Sequence, residues 1–323
     1  MKMKTVITDN SLCSFALNEK ADPKYIYNYI SALGDAGVKY VEIDFRTVMK
    51  MAELPENIGY VFRMVDPMFA ELADVFDFSY ILVTVNDMKK RIRTEQPVIL
   101  EIPGITTLNN QLLYLAQSQI DGKITEASVR GAVPMMSPRE AARLVNKLRN
   151  AVPIPVNITP LNENRCALDA AIKLSVASAD SLTLCMGLTN KYASIEEYLF
   201  TLMAVHETLP KEFDMAALCR AAFYHRLIFR NTAGDSITNI MRLLDYDIHN
   251  LTNVDTGERV RLHMSLRDNQ YMRRHFVSAI EKMAEEEGIP DDVFADICAA
   301  VKYFDKGLFD PELLNKDKKG LLN

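Results

Sequence analysis

Short runs of β-branched and other apolar residues alternate with amphipathic stretches through the first two hundred residues of the chain. Apolar runs between turn signals are typical of buried strands, and apolar positions three and four residues apart are typical of helices that cover a sheet. The predicted strands are the runs 4–8, 39–45, 59–65, 80–85, 97–102, 124–129, 153–158 and 181–186. Strands that alternate with helices in this way predict a parallel α/β fold.

Two of the predicted helices begin with clear capping signals. Asp22 precedes Pro23, and Ser137 precedes Pro138 with Glu140 completing a capping box. Further helices are predicted over 106–119, 164–178 and 194–209. Strands joined by helical crossovers close most simply as a (β/α)8 TIM barrel, whose active sites lie at the carboxyl ends of the strands. A doubly wound open sheet is the alternative, but no G-x-G-x-x-G turn follows the first strand.

The strand pattern stops near Phe213. Helices are predicted beyond it over 213–229, 270–288 and 291–304, with a polar connector at 253–269 and a charged tail at 315–323. We therefore divide the chain into a barrel of residues 1–230 and a C-terminal helical subdomain of residues 231–323.

Composition and charge limit the classes of function. The 323 residues can hold one barrel of about 250 residues and an appendage. A net charge of −6 without a basic stripe argues against a nucleic-acid partner. Because no apolar run is long enough for a signal peptide or a membrane span, we predict a cytoplasmic protein with no membrane partner. Five well-separated cysteines fit reduced thiols better than a zinc site or disulfides.

Several stretches, taken in order, resemble the homocitrate synthase and isopropylmalate synthase family, metal-dependent TIM barrels that join acetyl-CoA to a 2-oxo acid. The matching stretches are VITDNSLC (6–13), ALGDAGVKYVEIDF (32–45), the helix and strand of 137–158, the eighth strand and following helix start at 169–188 and 194–200, and the subdomain segment 288–307. The resemblance implies carbon–carbon bond formation or cleavage on a small 2-oxo acid or acyl-CoA, with acetyl-CoA as a co-substrate.

The resemblance also predicts an altered metal site. Asp9 matches the family's first metal ligand, but the two histidines of the seventh strand are replaced by Asn157 and Thr159, and a first-strand arginine is replaced by Cys13. All five histidines of the chain lie beyond the eighth strand. We expect no tightly held transition metal and at most weak Mg²⁺ at Asp9, whose carboxylate should point into the barrel and be satisfied by an arginine or by backbone N–H groups.

Charged and polar residues nevertheless fall at the carboxyl ends of the predicted strands. The candidate catalytic residues are Asp9, Glu42, Arg63, Glu101 and Arg130, and the candidate substrate-binding residues are Asp44, Arg46, Asn157 and Thr159. Carboxylates that face the lumen of a barrel need cationic partners, and the three arginines are the candidates. An ion-pair network that only fills the top of the barrel is the alternative reading of these charges.

Two functions remain open from the sequence. The first is a divergent enzyme that acts on a small anionic carboxylate without a metal, and the second is a catalytically silent barrel that binds a ligand or a related active subunit. A cavity lined by Arg63, Glu101 and Arg130 would favour the enzyme, whereas a mouth plugged by Phe15, Tyr192 or Met135 would favour the silent barrel. Because the helices beyond Phe213 are strongly apolar, we also predict a homodimer or a hetero-oligomer with a related barrel.

Overall fold

The structure is a computed structural model of the chain. It describes residues 5–66, 75–85, 92–104, 108–133, 135–187, 189, 191–206, 213–229, 234–245, 251–252, 259–260, 266–289, 295 and 297. Most of the predicted connector at 253–269, the helix predicted over 291–304 apart from residues 295 and 297, and the charged tail lie outside the described residues.

Eight parallel strands close into a barrel. They are β1 (Val6–Asp9), β2 (Tyr40–Ile43), β3 (Gly59–Arg63), β4 (Tyr80–Thr84), β5 (Val98–Pro103), β6 (Ile124–Ala132), β7 (Val156–Leu161) and β8 (Ser181–Leu184). Each strand pairs with its neighbours in the chain, and β8 pairs with β1 to complete the ring. All eight predicted strands and the TIM-barrel fold are therefore confirmed, and the open-sheet alternative is excluded.

The main helices lie outside the barrel or beyond it. They are α1 (Pro23–Asp35), α2 (Asn110–Gln117), α3 (Pro138–Ala151), α4 (Ala167–Val176), α5 (Ile195–His206), α6 (Met215–Ile228), α7 (Ser236–Asp245) and α8 (Leu266–Glu286). One-turn helices follow β1 and β2, at Ser11–Ser14 and Phe45–Val48, and a 3-10 turn follows β7 at Asn162–Asn164. Outside the barrel, two pairs of two-residue strands form small sheets: Ile92–Arg93 with Ile120–Asp121, and Leu251–Thr252 with Arg259–Val260.

The predicted helix caps are confirmed. The Asp22 carboxylate accepts a hydrogen bond from the backbone N–H of Lys24 at 2.9 Å. Ser137 and Glu140 form the reciprocal capping box, in which the Glu140 side chain accepts from the Ser137 N–H at 2.7 Å. These side chains satisfy backbone N–H groups that have no partner within the helix, which is why α1 and α3 begin where the sequence predicts.

The barrel lumen has an apolar layer between two polar ends. Val61, Leu82 and Ile99 form a small buried cluster inside the barrel, separate from the main core between the strands and the helices. Below this cluster, at the amino ends of the strands, lies a cavity of about 150 Å³. Because side chains alternate along a strand, residues two positions beyond the apolar layer also face the lumen, at the carboxyl ends.

Helix α6 covers its own apolar face against the barrel. It packs along α1, with the Asp214 N–H donating to the Ala36 carbonyl at 3.2 Å and the Asn18 N–H donating to the Ile228 carbonyl at 3.1 Å. Ala217, Ala221 and Phe223 of α6 are fully buried. The apolar character of this helix therefore needs no second subunit, and the predicted oligomer and the boundary at residue 230 stay predictions. No helix in the described part of the chain is long and apolar enough to cross a membrane.

Candidate functional site

Four charged side chains from β2, β3, β5 and β6 form one ion-pair network at the carboxyl end of the lumen. Arg63 Nε donates to Glu42 Oε1, and its two terminal nitrogens donate to the two Glu101 carboxylate oxygens at 2.9 and 2.5 Å. Arg130 Nε lies 2.8 Å from Glu101 Oε2, and Arg130 Nη2 lies 3.7 Å from Glu42 Oε2. The structure thus brings together four of the five residues that we predicted as catalytic.

The charges of this network balance, and the pairing favours the ionised forms of Glu101 and Arg63. Burial pushes the pKa of Glu101 upward, but the hydrogen bonds and the charge of Arg63, with the charge of Arg130, outweigh it and hold that pKa below its usual value. Burial likewise disfavours the charged form of Arg63, yet the carboxylates of Glu42 and Glu101 raise its pKa above the usual value. Glu101 and Arg63 therefore stay ionised at neutral pH.

Several buried hydrogen-bonding groups at this end of the barrel have no protein partner. Arg130 Nη1 donates to the Tyr192 hydroxyl at 2.9 Å and Arg130 Nε pairs with Glu101 Oε2 at 2.8 Å, whereas Arg130 Nη2 has no hydrogen-bond acceptor among the described residues, since Glu42 Oε2 lies 3.7 Å from it. The Asn10 side-chain N–H groups and the fully buried Thr159 hydroxyl are also without a hydrogen-bond partner in the structure. Buried polar groups are rarely left in this state, and all three of these can donate, so the complement they lack is an acceptor such as a carboxylate.

Tyr192 covers part of the mouth. It follows β8 in the chain and forms an isolated bridge with Leu161 at the end of β7. Tyr192 is only 2% exposed, and the Arg130 guanidinium lies 5.8 Å from the centre of its ring. Of the other two predicted plugs, Phe15 packs against Phe229 and Met135 is 61% exposed. The mouth is therefore covered by Tyr192 on the side of Arg130.

Asp9 is not part of the lumen, which corrects our prediction that it points inward. Its carboxylate accepts hydrogen bonds from the Ser11 hydroxyl at 2.6 Å and from the Tyr29 hydroxyl of α1 at 3.0 Å, so it lies between the barrel wall and the helices. The donors are hydroxyl groups rather than an arginine, and the backbone N–H groups of Ser11 and Met186 also favour the charged form. Complete burial outweighs these contacts and raises the pKa of Asp9 to about 6.

The residues predicted to bind substrate take different roles. The Asn157 carbonyl oxygen accepts from the hydroxyls of Thr183 at 2.9 Å and Ser128 at 3.4 Å, so it is tied into the lumen wall. Asp44 caps the helix Phe45–Val48 and binds Arg46 Nε at 2.8 Å, forming a local pair beside the four-residue network. Thr159 alone of this set presents an unused hydrogen-bonding group.

The residues at the positions of the family's metal ligands do not fit a metal ion. Asp9 faces the helices, whereas Asn157 and Thr159 lie on β7 with Asn157 bonded to neighbouring lumen side chains. Within the described residues, no group of three His, Cys, Asp or Glu side chains is placed to hold a metal ion. A carboxylate turned away from two neutral groups is not a chelating set, so no step of a reaction is assigned to a metal here.

Sequence reasoning missed two contributors to this site. Thr8 lines the lumen cavity, and side chains alternate along a strand, so Asn10 rather than Asp9 is on the lumen face of β1. Strict alternation along β1 is the sequence signal that identifies Asn10. Tyr192 was considered only as a plug, and nothing local in the sequence indicates that its hydroxyl would bind Arg130, a residue 62 positions earlier.

Comparison with known proteins supports the fold. No family model matches the chain, and no curated protein matches it by sequence. The hydroxymethylglutaryl-CoA lyase of Pseudomonas aeruginosa superposes with a TM-score of 0.54 at 12% identity, over 75% of this chain and 99% of that one. The HMG-CoA lyase of Bacillus subtilis gives 0.52 at 11% identity, over 69% and 93%. An HMG-CoA lyase of Acinetobacter baumannii, in complex with coenzyme A and 3-methylmalate, gives 0.50 at 12% identity, over 69% and 90%. The chain thus has the TIM-barrel fold that these lyases have.

Proposed function

We propose that this chain binds a small carboxylate of the 2-oxo acid class in the barrel mouth and forms or cleaves a carbon–carbon bond in it, with an acyl-CoA such as acetyl-CoA as the second substrate. The observation that carries this proposal is Arg130 Nη2, a buried donor that has no hydrogen-bond acceptor among the described residues. Thr159, which lies opposite Arg130 in the β6–β7 pairing, and Asn10, which follows β1, each add a buried donor without a partner among the described residues. A carboxylate or a 2-oxo group would satisfy these donors.

The network gives each residue a role in this proposal. Arg130 binds the substrate and stabilises the negative charge that develops on the 2-oxo oxygen, because the C=O π bond breaks as the new carbon–carbon bond forms at the oxo carbon and re-forms when that bond is cleaved. Glu42 and Glu101 hold the guanidinium groups of Arg63 and Arg130 in place, since each carboxylate contacts both arginines. A rigid, already charged donor set needs little reorganisation during reaction. The reaction is proposed to proceed without a metal ion.

Two likenesses support the choice of substrate class. The chain resembles the homocitrate and isopropylmalate synthases in the order of its motifs, and it shares its fold with HMG-CoA lyases. The lyase of Acinetobacter baumannii holds coenzyme A and 3-methylmalate, a small dicarboxylate, in its structure. The transfer of these ligand classes to the present chain is part of the proposal.

A second candidate, a catalytically silent barrel that binds a ligand or a related active subunit, is favoured by a different observation. Tyr192 covers Arg130, and the two arginines of the network are matched by two carboxylates. Such a mouth could retain a carboxylate without presenting an additional catalytic group to it.

Titration calorimetry with pyruvate, 2-oxoglutarate and oxaloacetate, together with a thiol-release assay with acetyl-CoA, tests both candidates. We expect binding that does not require Mg²⁺, and an affinity loss of roughly 10- to 100-fold in Arg130→Gln, because a charged hydrogen bond contributes about 1.5–3 kcal/mol. Arg149→Gln is the matched control, since Arg149 binds Asp180 at 2.6 Å through a partly exposed contact just before β8, at the opposite end of the strands from the mouth.

The outcomes separate the candidates. Binding with thiol release or product formation supports the enzyme, and binding without any turnover across the panel supports the silent barrel. If no oxo acid binds, or if Arg130→Gln binds as tightly as Arg149→Gln, the proposed role of the barrel mouth is wrong.

A further inference from the structure

Residues 185–187, 189 and 191–194 follow β8 and include Tyr192; we call them the β8 loop. They are held at both ends by one buried carboxylate. The backbone N–H of Gly187 lies 2.9 and 3.0 Å from the two carboxylate oxygens of Glu196, and the Ser194 hydroxyl donates to Glu196 Oε2 at 2.7 Å. Glu196 lies in the first turn of α5 and is fully buried. A single side chain therefore connects the start of the loop to its end.

The surrounding contacts leave the loop little freedom while that carboxylate is in place. The Cys185 N–H donates to the Ala193 carbonyl at 3.2 Å, which closes the base of the loop. The Asn239 side chain of α7 donates to the Ser194 hydroxyl at 2.9 Å. Gly187 has a φ of +84°, and a Cβ there would lie 2.2 Å from the Gly234 carbonyl oxygen, so the loop begins in a conformation and a space that only glycine accommodates.

The far side of the loop reaches the candidate site. The Lys191 carbonyl accepts from the Asn162 N–H at 2.9 Å, Tyr192 forms its bridge with Leu161, and the Tyr192 hydroxyl accepts from Arg130. A displacement of the loop would remove the hydrogen-bond acceptor of Arg130 Nη1 and uncover the guanidinium.

We propose that Glu196 is the positioning residue of the barrel mouth: by binding Gly187 and Ser194 it keeps the β8 loop closed and holds the Tyr192 hydroxyl on Arg130. Glu196 does not touch the substrate-binding donors and acts through the loop. The role of Glu196 in holding the loop does not depend on which ligand the mouth binds. The consequence for ligand affinity rests on the function proposed above.

The groups around Glu196 determine how the closure depends on pH. The charge of Glu196 raises the pKa of Tyr29 in α1, and the His225 ring of α6 lies close to Gly187. Asp9 is linked to the start of the loop through Ser11, whose hydroxyl donates to Asp9 and accepts from the Met186 N–H. Arg226, which follows His225, is paired with Asp235 at 3.0 Å. Burial raises the pKa of Glu196 to about 7, so this carboxylate gains a proton just below neutral pH. The protonated form has lost its charge and one acceptor oxygen, so the loop is held less firmly.

Trypsin reports directly on this loop, because the Lys191–Tyr192 bond lies in it and Lys191 is exposed. Cleavage at that bond, followed by mass spectrometry at several pH values, should be slow in the wild-type protein at pH 8.5. It should become several-fold faster at pH 6 after correction for trypsin activity on an unstructured peptide. In Glu196→Gln it should be at least about tenfold faster at pH 8.5 and should no longer change with pH, since cleavage follows the population of the open form.

Glu163→Gln is the matched control, because Glu163 is an exposed carboxylate beside Asn162, which binds the same loop. It should cleave like the wild type. Ser194→Ala gives a second test if Glu196→Gln folds poorly, and it should also cleave faster. Cleavage in both variants at the wild-type rate, or a pH dependence that persists in Glu196→Gln, would overturn the proposal.

The affinity for the oxo acid distinguishes this inference from the proposed function. If Glu196→Gln opens the loop and weakens an Arg130-dependent affinity, both stand. If the loop opens but no oxo acid binds even to the wild type, the positioning role stands and the proposed function fails. If the oxo acid binds but the loop is unaffected, the positioning role alone fails.

Discussion

Two buried titratable residues between the barrel and its helices, His225 and Asp9, have pKa values shifted in opposite directions. His225 is 1% exposed, and its ring nitrogens have no well-aligned hydrogen-bond partner among the described residues, although the nearby Met186 backbone favours the charged form of the ring. Its ring centre lies 4.8 Å from that of Phe229 and 6.0 Å from that of Tyr29. Burial, with a smaller contribution from the charge of Arg226, lowers the pKa of His225 to about 3. Neighbouring Asp9 has a pKa raised to about 6.

These two residues predict opposite changes of stability with pH. Between pH 6.5 and 3 the unfolded chain binds a proton at His225 that the folded chain does not, so the free energy of unfolding falls by about 1.4 kcal/mol per pH unit from this residue. Between about pH 6 and 4 the folded chain binds a proton at Asp9 that the unfolded chain does not, which offsets part of that loss. This stabilising contribution of the protonated Asp9 disappears as the pH rises through 6.

We therefore expect His225→Phe to resist acid. Phenylalanine fits the aromatic surroundings and has no ring nitrogen to leave unpaired, so the free energy of unfolding should be similar to wild type at pH 7.5 and higher by about 3 kcal/mol at pH 4.5. Asp9→Asn should show the reverse, a steeper loss of stability toward pH 4.5. Urea unfolding at the two pH values measures both. Equal acid sensitivity in the wild type and His225→Phe would contradict this assignment.

At the scale of elements, the ends of the strands decide which side chains meet. Glu42 is inside β2 and reaches the network, whereas Asp44 lies one residue beyond the strand and becomes the N-cap of the helix Phe45–Val48. Its carboxylate accepts from the backbone N–H groups of Arg46 at 3.0 Å and Thr47 at 3.2 Å. The alternation of side chains along a strand predicts that Glu42 and Asp44 lie on one face. Because a helix begins at Phe45, the Asp44 carboxylate caps that helix instead of joining the network.

This capping role gives a prediction that separates structure from substrate binding. Asparagine caps helices about as well as aspartate, so Asp44→Asn should leave the free energy of unfolding nearly unchanged, whereas Asp44→Ala should lower it by about 1 kcal/mol. Chemical denaturation measures the difference. The affinity of Asp44→Asn for an oxo acid should equal that of the wild type; a clear change in affinity at unchanged stability would instead assign Asp44 the substrate contact predicted from the sequence.

At the scale of the whole molecule, the sequence predicted the order of the strands but not every direction in which their side chains point. The barrel could be predicted because each strand is a short apolar run between marked turns, eight such strands with helical crossovers close most simply as a barrel, and no glycine-rich turn of an open sheet follows the first strand. Glu42, Arg63, Glu101 and Arg130 could be predicted to meet because all four end strands that converge on one mouth. The orientation of Asp9 and the contact of Tyr192 with Arg130 depend on packing between distant segments, which local patterns do not contain.

The lumen network links four strands, so its energy should be non-additive. Glu101→Gln leaves Arg63 and Arg130 with a single carboxylate. Arg63→Met leaves Glu42 and Glu101 with a single arginine. Each variant should lower the free energy of unfolding by about 3 kcal/mol, because it leaves a partly buried charge unmatched. The double variant Arg63→Met/Glu101→Gln retains the balanced pair Glu42 and Arg130 and should cost less than the sum of the two. Denaturant unfolding of all four proteins gives this coupling, which we expect to be about 1–3 kcal/mol.

The pair Arg220 and Asp35, 3.5 Å apart with both side chains 40% or more exposed, provides the control cycle. Exposed pairs are screened by water, so Arg220→Gln and Asp35→Asn should show a coupling below about 1 kcal/mol. A lumen coupling as small as that of the exposed pair would mean that water screens the four charges and that the two carboxylates do not hold the arginines in place. Arg130 would then lack the rigid support on which its proposed role depends, even if it binds an oxo acid. A large coupling together with an intact affinity in Glu101→Gln would show that Glu101 acts on the fold and makes no contact with the substrate.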